Sequence, residues 1–378
     1  MKSTTCIDVI IVGGGLAGLV NAIHLSKHGV NVLLIEKNTY PKHKVCGEYI
    51  SNEVLPYFES LGIDPFKLGA KKIKRFMLST PRSKVIETEL PLGGFSISRY
   101  LLDYSLAQKA KENGTKIIQD TVIDIQFFND EFRVVTKNKK EYKAKIVIGA
   151  HGKRSTLDVA LNRNFIKKKS PLLAVKTHVK GNFSDDLVAL HNFEGGYCGL
   201  SKVENDHINV CYITDLKSFQ RFKNVQDFQE NVLYKNAHLK TVFENSEPVF
   251  SKPLTISQLS FLSKNPVEQH MLMCGDSAGM IHPVSGNGMS MAIRSAQIAS
   301  LLIIAYFNNQ IESRAFLEKM YITEWNNEFK NRLKTGHLVA SVFKRHHFSE
   351  FFISILKNVP SLLPKIIKYT HGKTMKVN

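Results

Sequence analysis

Residues 7–36 read IDVIIVGGGLAGLVNAIHLSKHGVNVLLIE, and the order of parts in this stretch decides the fold. Ile7 to Val12 is an apolar, β-branched run, the pattern of a strand buried on both faces. Gly13, Gly15 and Gly18 follow in the spacing G-x-G-x-x-G, with Leu16 and Ala17 between the last two. Leu16 to Lys27 carries helical spacing, and Val30 to Ile35 is a second buried strand that ends on Glu36 and Lys37. Gly13 makes the tight turn, Gly15 lets backbone approach a pyrophosphate, and Gly18 lets helix lie close on strand. The helix N-terminus offers unpaired N–H groups and a positive dipole end to the phosphates. Glu36, at the strand tip, is placed to accept hydrogen bonds from ribose hydroxyls. Strand, triplet, helix, strand and acid in this order predict an α/β domain that binds an adenine dinucleotide.

Outside that stretch the composition sets bounds. The chain has 378 residues, 43% hydrophobic and 22% charged, ordinary values for a soluble globular protein of two or so domains. MKSTTC runs straight into the first strand, which leaves no room for a signal peptide. The longest apolar run, around Leu301 to Phe307, is short of the roughly 20 residues that span a bilayer. Cys6, Cys46, Cys198, Cys211 and Cys274 are scattered and lack C-x-x-C spacing. That pattern predicts a reducing, cytoplasmic compartment, with neither a disulfide framework nor a metal site. The formal net charge is +18, with clusters at Lys71–Arg75, Lys137–Lys145 and Lys167–Lys169. An anionic membrane surface, an anionic cofactor or plain solvated lysine faces all fit it, and no motif for a specific nucleic acid accompanies it.

Taken in order, Pro41 and Gly47 mark a loop, and a helix is expected over Ser51 to Leu61. Lys72 to Leu90 reads as two strands turning at Pro81-Arg82-Ser83. Arg99 to Asn113 is helical and closed by Gly114. A short strand at Thr115–Ile118 precedes a meander over Thr121–Ile148, turning at Asn129-Asp130 and Asn138-Lys139. Ser170 to Leu262 alternates as a mostly antiparallel sheet would, interrupted by a polar helical piece at Gln220–Asn236. A buried strand returns at His270–Cys274, followed by a glycine-rich loop and an apolar helix, Met289–Phe307; the chain after Glu312 reads as helical. The expected architecture is a discontinuous Rossmann-like domain (1–70, 95–165 and 265–310). It carries an inserted, mostly antiparallel β-sheet substrate domain (71–94 and 166–264) and a C-terminal helical region (311–378).

Three further segments carry chemistry. Arg99 opens a helix, where its guanidinium reaches phosphate or ribityl oxygens or caps the surface. Gly152 follows the strand end IVIGAH. Gly275-Asp276 ends the returning strand, and Pro283 and Gly286-Asn287-Gly288 follow. There Asp276 is placed for a ribityl hydroxyl, and the glycine backbone for the pyrimidine edge of a flavin ring.

These segments together resemble the flavoproteins of the p-hydroxybenzoate hydroxylase fold, and within them the geranylgeranyl reductase branch, over most of residues 5–310. The resemblance implies FAD, with Gly13, Gly15, Gly18 and Glu36 at its adenosine half. The family's Arg, Asp-Gly and Gly-Asp motifs fall on Arg99, His151-Gly152 and Gly275-Asp276. PKHKVCGEYIS is similar to the branch's P-x-x-K-x-C-G, which implies that Cys46 and Gly47 lie near the flavin ring. Gly279 also fits the reductase pattern, where aromatic hydroxylases read G-D-A-A-H. The chain departs from the family at His151, which stands where an Asp is usual. It departs again at Tyr197-Cys-Gly199-Leu-Ser201, which lacks the Trp and Phe-Pro of the archaeal Y-x-W-x-F-P. The W-x-W-x-I-P of flavin halogenases is missing, and the single tryptophan is Trp325.

The resemblance implies an FAD-dependent oxidoreductase acting on a hydrophobic substrate such as an isoprenoid, polyene or phenolic lipid. NAD(P)H would be the electron donor and a carbon–carbon double bond the hydride acceptor. An NAD(P)H- and oxygen-dependent monooxygenase of phenolic lipids is the alternative. His282 is the candidate proton donor, or fills space. Cys46 is a candidate catalytic thiol, or a small buried hydrophobe shaping the ring face. Tyr197 lines the substrate cavity or packs in the sheet. The tail from Gly336 to Lys373 alternates apolar and basic residues, as a helical cap does, or as a peripheral contact with the anionic inner face of a membrane does. No pattern sets an oligomeric state.

Overall fold

The computed structural model describes residues 7–167, 170–257, 259–343 and 353–377. The start MKSTTC with Cys6, Lys168 and Lys169 of one basic cluster, and 344–352 of the tail lie outside the described residues. The chain opens with β1 (Ile7–Val12), α1 (Leu16–Lys27), β2 (Val32–Glu36) and β3 (Tyr49–Ser51). Next come α2 (Leu55–Ser60), β4 (Lys71–Ser79), β5 (Val85–Ser96) and α3 (Arg99–Glu112). A run of strands follows: β6 (Lys116–Gln119), β7 (Val122–Phe128), β8 (Glu131–Thr136) and β9 (Glu141–Gly149). α4 (Thr156–Ala160) leads to β10 (Leu172–Gly181), β11 (Leu187–Phe193), β12 (Gly196–Lys202) and β13 (His207–Asp215). α5 (Leu216–Phe219), α6 (Val225–Asn231) and α7 (Ala237–Glu244) precede β14 (Ser246–Pro248) and β15 (Leu254–Ser257). β16 (Val267–Glu268) and β17 (Met271–Met273) return to the first sheet, and α8 (Gly288–Phe307) and α9 (Arg314–Phe343) follow.

The first sheet runs β16-β17-β9-β1-β2-β6, with β7 and β8 joined through β9. Its centre is parallel: β1 lies beside β2 and β9, with Ile10 opposite Leu33 and Val147. That is why β1 and β2 are apolar at nearly every position. Ile10, Ile11, Leu19 and Val20 are fully buried, each contributing about 1.5–3 kcal/mol. The second sheet runs β14-β10-β13-β12-β11-β4-β5-β3, with β15 on β10, and is antiparallel except between β11 and β4. One face packs on Phe228, Leu233 and Leu239 of the α6–α7 region. The other carries Ala174, Tyr197 and Ile213 toward Ile353, Leu356, Leu363 and Ile367 of the C-terminal segment.

Three boundaries differ from the sequence reading. β2 starts at Val32 because the Val30 N–H closes the end of α1 on the Leu25 carbonyl, 3.2 Å away. The helix expected from Ser51 begins instead as β3, where Tyr49 and Ser51 pair with Ser96 and Gly94. Only after a 3-10 turn at Asn52–Val54 does α2 start, so β3 carries part of the N-terminal segment into the second sheet. The polar piece at Gln220–Asn236 is broken into α6 and a 3-10 turn, Leu233–Lys235. α8 is long and apolar enough to cross a membrane by length and composition, with 61% of its apolar window buried in the fold.

At the crossing of β1 and α1, a Cβ on Gly18 would lie 1.9 Å from the Gly13 carbonyl oxygen. Gly18→Ala is therefore expected to lower the unfolding free energy of the apoprotein by about 1–3 kcal/mol. Gly47→Ala, where a Cβ meets nothing within 4 Å, should leave it within about 0.5 kcal/mol. Urea denaturation of the two variants checks both.

Candidate functional site

The two sheets enclose one continuous cavity of about 670 Å³. At one end stand Gly13, Gly15, Leu16 and Ala17, with Glu36 and Lys37 across from them. Gly13 holds φ +106, where a side chain is strained, and its own Cβ would strike the Ala150 carbonyl at 2.4 Å. Gly15 is open: a Cβ there meets only the Arg99 Nη2, 3.9 Å away. α1 starts with no side-chain cap and no acid in its first turn, so its free N–H groups are turned to an anion.

A fourth glycine matters that the triplet does not mark. The Gly14 N–H donates to Glu36 Oε2 at 2.6 Å, and the Tyr40 hydroxyl donates to the Gly14 carbonyl at 2.6 Å. A Cβ on Gly14 would fall 1.8 Å from that hydroxyl. Glu36 Oε1 accepts the Asn38 N–H at 2.9 Å and side-chain amide at 2.6 Å. The acid thus orders its own loop while standing in the cavity wall.

Arg99 begins α3 because Ser98 caps it, accepting the Leu101 N–H at 3.1 Å. Its guanidinium is fixed from behind by Asp103, Nε to Oδ1 at 2.7 Å and Nη2 to Oδ2 at 2.8 Å, and Lys44 Nζ also reaches Asp103 Oδ2 at 2.7 Å. Burial favours the neutral Asp103 carboxyl, but Arg99 and Lys44 outweigh it and hold the group below the usual carboxylate range. Cys46 and Gly47 line the cavity beside Arg99. Cys46 is a free, half-buried thiol.

Close beside the glycine loop stands Gly275 (φ +61), where a Cβ would lie 3.1 Å from Ala17 Cβ; it donates its N–H to Ser295 Oγ at 2.9 Å, and Asp276 joins the wall. Gly152 (φ +87) is held by Ser277, its N–H donating to Oγ at 2.8 Å. His151 lines the wall with its Nε2 3.0 Å from Asp158 Oδ1, which also receives Arg163 Nη1 at 3.0 Å. Asp158 closes a capping box with Ser155, so the loop after β9 is anchored through an acid seven residues on. Pro283, Gly286, Asn287 and Gly288 complete the wall. α8, like α1, opens with neither a side-chain cap nor an acid in its first turn. Two uncapped helix N-termini thus meet one cavity, as a ligand with a charged middle and an electron-poor ring requires.

For His282 and Tyr197 the structure shows the packing alternative. His282 is buried between Phe261 (ring centroids 4.5 Å) and Tyr197 (6.0 Å), while Ile281 and Pro283 on either side line the cavity. The backbone at His282 is extended (φ −65, ψ 127), so its side chain leaves on the opposite side from its neighbours. Tyr197 lies on β12, one strand beyond β13, and its register partner Ile213 is the residue that reaches the wall. Trp325 fills the space left by Gly279, where a Cβ would lie 3.1 Å from the indole. Among the described residues, no group of His, Cys, Asp and Glu could hold a metal ion.

A sequence model described as an FAD binding domain matches residues 6–314. The chain belongs to this family. It is an FAD-dependent oxidoreductase with the p-hydroxybenzoate hydroxylase fold. It is similar to a digeranylgeranylglycerophospholipid reductase of Methanococcus vannielii, 26% identical over 370 residues that cover 95% of this chain and 92% of the relative. It is also similar to conditioned medium factor receptor 1 of Dictyostelium discoideum, 24% identical over 395 residues that cover 95% and 74%. Among solved structures, the flavin-dependent brominase Bmp2 superposes with a TM-score of 0.78 at 19% identity, over 98% of this chain and 95% of that one. At that identity the likeness is one of fold.

The residues fit FAD. Gly47 and Gly152 both line the cavity, and a Cβ on either meets no atom within 4 Å. Gly13 to Ala17 would take the pyrophosphate and Glu36 the ribose. Asp276 would take the ribityl chain, and Gly286 to Gly288 the ring's pyrimidine edge.

Asp158 gives this wall a pH dependence. Burial favours its neutral form, but the hydrogen bonds from His151 and Arg163 hold it down at about 2, against 3.8 for the free side chain. Its contribution is complete above pH 4 and is lost as pH falls toward 2. Wild-type protein should therefore lose up to about 2 kcal/mol more than Asp158→Asn over that interval, measured as unfolding free energy against pH.

Proposed function

We propose that the enzyme passes hydride from NAD(P)H, by way of FAD, to a carbon–carbon double bond of a hydrophobic substrate such as an isoprenoid, polyene or phenolic lipid. One observation carries this reading: the cavity that begins at the dinucleotide motifs continues to an apolar end without a break. Val45, Ala174, Ile213, Leu254, Leu259 and Met280 line that end. FAD, when bound, supplies the two-electron carrier. The chain supplies position and field. The uncapped N-terminus of α8 would favour negative charge on a flavin ring held against it. Arg99, locked by Asp103, presents a guanidinium that needs no reorganisation. The apolar wall keeps water from the transferred hydride and holds a hydrocarbon chain by burial alone. With His282 off the wall, the proton would come from solvent.

A peripheral contact with an anionic membrane surface is part of the proposal, and the net charge of +18 supports it. Leu363 and Ile367 of the helix Leu362–Thr370 are buried inside the fold. The contact would therefore be electrostatic, through side chains such as Lys365 and Lys368, and not an insertion.

The test is anaerobic. FAD-loaded enzyme reduced by dithionite is mixed with long-chain isoprenoid alcohols or long-chain phenols. Return of the oxidised flavin band without oxygen, and a lipid heavier by two hydrogen atoms, is the expected result. Reoxidation that waits for oxygen, with one oxygen atom in the product, would instead establish the monooxygenase. Bleaching of the flavin by NADPH or NADH in the same cuvette tests the donor.

A further inference from the structure

One part of the cavity wall is a run of consecutive residues, Lys42 to Tyr49. Glu48, inside that run, is wholly buried. Its Oε1 accepts Lys176 Nζ at 2.5 Å and the Arg99 N–H at 2.8 Å, and its Oε2 pairs with His178 Nε2 at 2.8 Å. Lys176 is as inaccessible as Glu48, and His178 nearly so. These partners belong to different parts of the molecule. Arg99 opens α3, on the dinucleotide side. Lys176 and His178 are alternate residues of β10, in the second sheet, two and four places after the wall residue Ala174. A neighbouring contact reinforces the junction: Asn209 Nδ2, opposite His178 on β13, donates to the Cys46 carbonyl at 3.3 Å.

The backbone at Glu48 has φ +54, a left-handed conformation that side chains other than Gly, Asn and Asp seldom adopt. The carboxylate anchors it there. Burial works against its charge, and Lys176 and His178 overcome that and keep the group below the usual carboxylate range. A buried ion pair is poor evidence for stability, because apolar side chains of the same volume often serve as well or better. What apolar side chains could not reproduce is directional attachment: one carboxylate, three donors, two sides of a cavity.

We infer that Glu48 is a positioning residue, whose carboxylate sets the Cys46–Gly47 edge of the FAD cavity at a fixed separation from the substrate-facing sheet. Lys176 supplies the counter-charge, and His178 fixes the angle at which β10 meets the loop. Hydride transfer requires the reacting atoms about 3–3.5 Å apart, and this junction sets the gap across which that distance is achieved. The inference rests on the reading of Cys46–Gly47 as the flavin-facing edge.

The test uses FAD-loaded full-length protein and a readout on Cys46. N-ethylmaleimide labelling of the Cys46 peptide is followed by mass spectrometry, alongside the visible absorption band of bound FAD and the melting temperature. Glu48→Gln/Lys176→Met removes both charges and nearly preserves volume. It is expected to melt within a few degrees of wild type, yet to label at Cys46 at least tenfold faster and to shift the flavin band. Should that pair of changes prevent folding, His178→Leu, which leaves the Glu48–Lys176 pair intact, is expected to label at least threefold faster. Wild-type labelling rate and spectrum in whichever variant folds would overturn the inference and leave the cluster a structural one. Wild-type protein in which bound FAD gives Cys46 no protection would bring down the placement of the flavin along this edge, and the inference with it.

Discussion

Backbone touches backbone where α1 leaves β1. Gly18 sits against the Gly13 carbonyl, and no side chain fits between them. The rest of the cavity depends on this approach, because it brings the uncapped end of α1 to the level of the strand tips. There Glu36 and the loops after β9 and β17 stand ready. The same economy recurs one residue on, where Gly14 leaves room for the Tyr40 hydroxyl. A domain organised around a dinucleotide is in this sense organised around the absence of Cβ atoms at a few positions.

Behind the wall, buried carboxylates do the holding. Asp103 fixes Arg99 and Lys44, Glu48 fixes Lys176 and His178, and Asp158 fixes Arg163 and His151. Each acid has a cation at hydrogen-bond distance, which offsets the desolvation that burial exacts. Glu53 shows the other outcome: burial outweighs the Arg332 charge 3.7 Å away and holds its carboxyl above the usual range. Part of the chain's basic excess therefore serves the interior, where it keeps acids ionised next to the site.

The segments that were legible in the sequence are those whose contacts are local. β1, α1 and their glycines follow from side-chain period and from a motif, Gly13 to Gly18, that directly follows the strand. The meander and the hairpin at Pro81 follow from turn chemistry. Glu48 carries no such signal, since Lys176 and His178 lie 128 and 130 residues away and meet it only when the two sheets close. Tyr40 escaped for the same reason, reaching back 26 residues to a glycine that the triplet spacing ignores. For His282 and Tyr197 the sequence leaves a role in the cavity and a role in packing both open. Backbone alternation and strand order, invisible to a motif, turned the first away and set the second one strand too far. His151 was read as a departure from the family, and the structure gives it a partner in Asp158.

The central claim is that the glycine loop and Glu36 hold the adenosine half of FAD while the α8 loop holds the ring. Calorimetric titration of the apoprotein with FAD and with FMN, which lacks the adenosine half, tests it most directly. One equivalent of FAD, bound at least a hundredfold more tightly than FMN, is the predicted result. Equal affinity for the two flavins, or no uptake of either, would contradict the account.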